Sequence, residues 1–203
     1  MDLKLTTIRI TAVKQVGELS GARVRALQPM EQEGFQLVNQ APVAILFVNP
    51  VERKHIVVTN NEITAMLQGD NLDVQYDFFS EYLSKIFDLL QLDSKAQFNF
   101  EIGAQGNVFR DTMTGSIEHF VHGVDLHPWI KGIGYRFIIQ HGDLKGDLRI
   151  EPLIADPTRA FVSLVMGSDA MVTMDEFTHT IKNASENLIS FADNYTQILL
   201  GQK

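Results

Sequence analysis

Apolar and polar residues alternate over residues 3–16, where Leu3, Leu5, Ile8, Ile10 and Ala12 are separated by Thr6, Thr7, Arg9 and Thr11. A period of two sends successive side chains to opposite faces, so the spacing predicts a half-buried strand with one slip in its phase. The apolar run Val43-Ala44-Ile45-Leu46-Phe47-Val48, stopped by Asn49-Pro50, predicts a buried strand. His55 to Thr59 and Glu62 to Leu67 predict a hairpin closed by Asn60-Asn61, residues that tolerate the left-handed conformation a tight turn requires. Residues 17–40 carry less signal. The stretch 21–27 fits a short helix or a strand, and Pro29 to Gly34 reads as a loop.

Between 76 and 92 the period changes. Phe79, Tyr82, Leu83, Ile86, Leu89 and Leu90 recur at three- and four-residue steps, which predicts a helix that Asp77 can cap. Strand patterns return at 98–102, near 116–122, at 134–140, at 147–154 and at 160–166. Asp156-Pro157-Thr158 is turn chemistry and predicts that the last two pair as an antiparallel hairpin.

The final element has the clearest signal. Thr173-Met174-Asp175-Glu176 fits a capping box, in which the threonine hydroxyl and the glutamate carboxylate satisfy two free backbone donors at a helix start. Beyond it Phe177, Ile181, Ala184, Leu188, Phe191, Tyr195 and Ile198 alternate steps of four and three. The stripe predicts an amphipathic helix of about 28 residues, ~40 Å long. Such a seam can pack on the chain's own sheet or against a second helix, and both can hold at once.

Strands followed by a helix (1–92) are thus succeeded by strands followed by a longer helix (96–200), an architectural duplication without residue-level similarity. Hairpin-compatible strands with few helices predict an α+β fold, a mainly antiparallel sheet with helices on one face. No linker or low-complexity segment interrupts the chain, so residues 1–203 are expected to form a single domain.

Charge narrows the partners. Lys and Arg number 17 against 25 Asp and Glu, a net charge of −8, which disfavours nucleic acid. Residues 1–55 carry seven bases against five acids, so the acidic excess lies beyond them. That asymmetry is compatible with attraction between the two regions, although basic side chains on solvated strand faces account for it more simply. The absence of cysteine excludes a disulfide scaffold, thiol catalysis and thiolate metal sites. The first residues lack the pattern of a secretory signal and no apolar run can span a bilayer, so a cytoplasmic protein without membrane partners is expected.

The densest group of catalytic residue types is Glu118, His119, His122, Asp125 and His127. Imidazole and carboxylate ligate zinc, iron or manganese when three or four converge at about 2 Å. The spacing matches no His-Glu-x-x-His motif, and on a strand His119 and His122 would point to opposite faces. Glu118, His122 and His127 would then share a side with His141, while hydrogen-bonded or solvated histidines remain the reading the spacing favours. Lys131-Gly132-Ile133-Gly134 lacks the third glycine and the following helix of a dinucleotide loop. No triphosphate-binding Gly-Lys-Ser/Thr loop or hydrolase Gly-x-Ser-x-Gly elbow occurs. Asp143 and Asp147 flank Lys145-Gly146 in an apparent turn, and Arg149 and Glu151 are spaced for a lateral ion pair. Trp129, after Pro128, can be a core residue or an exposed anchor.

The strand Gly134-Tyr135-Arg136-Phe137, the run Leu148-Arg149-Ile150-Glu151-Pro152-Leu153 leading into Asp156-Pro157, a further strand and a terminal amphipathic helix resemble a family of uncharacterised prokaryotic α+β proteins over residues 45–200. The resemblance implies a cytoplasmic prokaryotic protein with a helix-covered sheet and carries no catalytic residues. The bulk composition is also similar to that of SecB-type secretion chaperones, without a shared motif. The function expected is therefore a non-enzymatic binding or assembly module, chaperone-like in presenting apolar surface and needing no cofactor. It would act on a protein partner or as a homodimer, with Trp129, Phe177, Ile181, Leu188, Phe191, Tyr195 and Ile198 as interface candidates. The alternative is a metal-dependent hydrolase or oxygenase built on the Glu118–His127 cluster.

Overall fold

The period-two segments, with one exception, become strands of a single antiparallel sheet in the computed structural model, which describes residues 3–108, 110–120 and 126–201. The first half contains β1 (Lys4–Val13), a short helix α1 (Gly21–Ala26), a 3₁₀ turn (Gln28–Glu33), β2 (Gln36–Ala41), β3 (Ala44–Asn49), β4 (Lys54–Thr59), β5 (Glu62–Leu72) and α2 (Tyr76–Leu89). The second contains β6 (Lys95–Asn107), α3 (Thr112–Phe120), β7 (Tyr135–His141), β8 (Leu144–Pro152), β9 (Arg159–Ser168), the short β10 (Val172–Thr173) and α4 (Met174–Thr196). A π turn (Gln197–Gly201) closes α4.

Across the sheet the order is β2-β3-β4-β5-β1-β6-β9-β8-β7, and β10 pairs with the start of β6. In each half the first strand is followed by a helical crossover and an antiparallel meander whose last strand returns beside the first. β1 and β6 therefore lie side by side at the centre, with Ile10 opposite Phe100. The slip in the first strand's alternation is a register shift between Leu5 and Thr7, where β1 bulges against both neighbours.

One face of the sheet carries the core. A single row across the strands runs Phe47, Ile56, Ala65, Ile10, Phe100 and Met166, all buried. α2 places Phe79, Leu83 and Ile86 on this face, and α4 places Phe177 and Ile181 there. The opposite face is polar at its centre: Thr11 and Thr64 share a hydroxyl hydrogen bond of 2.9 Å, and Arg9 pairs with Glu101. Arg9–Glu101 and Lys14–Asp93 join the basic N-terminal region to the acidic remainder. Each pair has an exposed member, so each contributes about 0–1 kcal/mol, and the seam rests on backbone pairing and apolar rows.

Several local expectations need correction. Residues 112–120 form a helix where a strand was expected near 116–122: the Asp111 carboxylate accepts from the Thr114 N–H at 2.8 Å, capping the first turn. Asn60 and Asn61 do not adopt a left-handed conformation; the Thr59 hydroxyl accepts from the Asn61 and Glu62 N–H groups and holds the turn. Asp77 lies within the first turn of α2, whose N-cap is Gln75. Residues 28–33 form a 3₁₀ turn started by Pro29 and ended by Gly34 at φ 83°. The turn expected around Lys145-Gly146 sits earlier, so Asp147 is in mid-strand. The capping box on α4 is present, with the Thr173 N–H donating to Glu176 at 2.8 Å and the Glu176 N–H to the Thr173 hydroxyl at 3.3 Å. The Asp156-Pro157 hairpin also forms, with the Asp156 carboxylate accepting from the Thr158 N–H and hydroxyl. Among the described residues no helix is long and apolar enough to cross a membrane.

Candidate functional site

β7 forms because Tyr135, Phe137 and Ile139 alternate with Arg136, Ile138 and Gln140. The first set faces the helices, and the second faces the open side of the sheet. β7 is the last strand in the order, and among the described residues nothing pairs with its outer side. Its seven residues pair with β8 without a register shift, and it contains neither Pro nor Lys. The other edge is different. β2 shifts register between Leu37 and Asn39 and turns into β3 through Pro42, devices that blunt a free edge.

The last turns of α4 arrive beside β7. The Phe191 ring meets Phe137 edge-on at 5.5 Å, and Tyr195 stacks on Phe191 at 4.2 Å. Tyr195 and Ile198 are 43% and 44% exposed, and Ile138 is 76% exposed on the strand's other face. Phe137, Phe191 and Tyr195 make an apolar ledge along a backbone edge that is open among the described residues.

A polar framework fixes the ledge from behind. The Tyr135 hydroxyl reaches the Ser116 and Leu199 carbonyls at 3.3 and 3.4 Å, and burial raises its pKa, keeping it a donor. The Ser116 hydroxyl accepts from the Ile133 N–H at 2.9 Å, and Gln197 donates to the Asn107 carbonyl at 3.0 Å. α3, the π turn and the entry to β7 are thereby tied together.

On the open face Asp147 accepts from the Arg149 Nε at 2.7 Å and from Arg136 at 2.9 Å. Arg149 thus pairs with Asp147, not with Glu151. Those contacts, Arg149 foremost, hold the Asp147 carboxyl below the usual carboxylate range, and Asp147 raises the Arg149 pKa in return. Two guanidinium groups share one carboxylate, and the nearby Glu151 carboxylate, which also favours the Arg149 cation, balances the charge of the group.

Of the expected metal residues the structure describes Glu118, His119 and His127. Glu118 pairs with Arg110, and His119 is exposed on α3. His122 and Asp125 lie outside the described residues. His127 packs its ring edge-on to Trp129 at 4.9 Å. With 112–120 helical, the strand geometry that aligned Glu118 with His141 does not arise. Among the described residues no three His, Asp or Glu side chains come close enough to hold a metal ion.

The terminal stripe divides. Phe177 and Ile181 are buried, with Phe177 stacked on Phe98 at 5.2 Å. Leu188 and Phe191 are half-buried, and Tyr195 and Ile198 reach solvent. Trp129 is 87% exposed. Sequence reasoning passed over Ile138 and placed Asp147 in a turn; the available signal was an isoleucine on the polar side of an alternating strand.

No protein-family model matches the chain, and no curated protein is significantly similar to it.

Proposed function

We propose that this protein is a non-enzymatic binding or assembly module, chaperone-like in offering apolar surface to other polypeptides, and that it works in the cytoplasm. The observation that carries this reading is the ledge of Phe137, Phe191 and Tyr195, with the exposed Ile198 one turn on, beside a strand whose outer side is unpaired among the described residues. Single exposed apolar residues are ordinary on a surface, whereas a contiguous apolar patch marks an interaction site. Trp129 adds a second exposed aromatic of the kind that anchors interfaces. A net charge of −8 repels polyanions, so the partner is a protein, either another chain or a second copy in a homodimer.

The test is capture of an unfolding client. Light scattering from a chemically unfolded protein, diluted into buffer, should fall in the presence of the wild type. Replacing Tyr195→Asp and Ile198→Asp together should abolish the effect while leaving the melting temperature within a few degrees. Suppression that survives the double substitution would remove the ledge from the mechanism. Native mass spectrometry of untagged protein reports the oligomer in the same experiment, and a chelator-sensitive metal mass would favour the hydrolase or oxygenase alternative.

A further inference from the structure

We draw no further inference here: the strongest candidate, the pocket of about 350 Å³ between α3, residues 131–134 and the end of β8, is lined by Met113, Pro152 and Ile154 together with one cation, Lys131, and one carboxylate, Glu151, and nothing in the structure shows what covers it.

Discussion

Truncating Phe177 and Tyr195 separately tests whether the two ends of the terminal stripe do different work. Phe177 is 2% exposed and stacks on Phe98, so Phe177→Ala removes a buried ring and leaves a cavity between α4 and β6. Such truncations cost about 3–5 kcal/mol. For a domain of this size each kcal/mol moves the melting temperature about 2–4 °C, so the expected fall is roughly 6–20 °C. Tyr195 is nearly half exposed and its principal packing is the stack on Phe191, worth about 0.5–1.5 kcal/mol. Tyr195→Ala should therefore lower the melting temperature by no more than about 6 °C. Client capture should follow the opposite order, with Tyr195→Ala impaired and Phe177→Ala, assayed well below its melting point, retaining activity. Thermal unfolding by circular dichroism and the light-scattering assay supply both quantities. If Phe177→Ala proved nearly neutral in stability, or Tyr195→Ala melted as early as Phe177→Ala, the division of the stripe would be refuted.

Thr173→Ala removes one arm of the capping box and should cost about 1 kcal/mol in urea unfolding, with Thr173→Ser close to wild type. Gly115→Ala, which in a free helix would gain about 1 kcal/mol, should instead destabilise by about 1–3 kcal/mol, because the added carbon collides with the Leu200 carbonyl. Asp147 should titrate below the ordinary aspartate value of about 3.9 by carboxyl NMR, and Arg149→Gln should raise its midpoint more than Arg136→Gln does. Since the folded-state pKa is the depressed one, the triad contributes to stability above the unfolded value and loses that contribution as pH falls through the folded value. A midpoint unchanged by Arg149→Gln would remove that hydrogen bond as the cause.

The long-period signals were legible because packing and local preference agree in them. Phe79, Leu83 and Ile86 face the sheet as their spacing requires, and Thr173 with Glu176 closes the box its residue types describe. The slip near Leu5 was visible as a broken alternation and became a bulge. Residues 112–120 misled because Gly115 and Ser116 weaken a nine-residue helix, and Ile117, His119 and Val121 alternate like a strand. Their cap, Asp111, was the overlooked cue. The edge was invisible for a different reason. Whether Ile138 ends exposed depends on β7 being outermost, and strand order is set by long-range pairing that no local pattern encodes.

The exposed ledge lies on one side of α4 and not beyond the sheet. α4 starts beside β10 and β6, where Phe177 meets Phe98, and passes Val162, Leu164 and Leu148 at Leu188, Ile189 and Ala192. It reaches Phe137 of β7 at Phe191. The helix thus runs along β6 from its start to its end, where Gln197 donates to the Asn107 carbonyl, with Phe191 on the side that faces β7. Tyr195 and Ile198 continue the heptad-like spacing but reach solvent, while Thr196, Gln197 and Leu200 of the same turns stay buried. α2, at 14 residues, ends while still over buried sheet and leaves Leu83, Ile86 and Phe87 covered. The exposure of Tyr195 and Ile198 is thus a property of one side of the helix and not of a sheet too narrow for it.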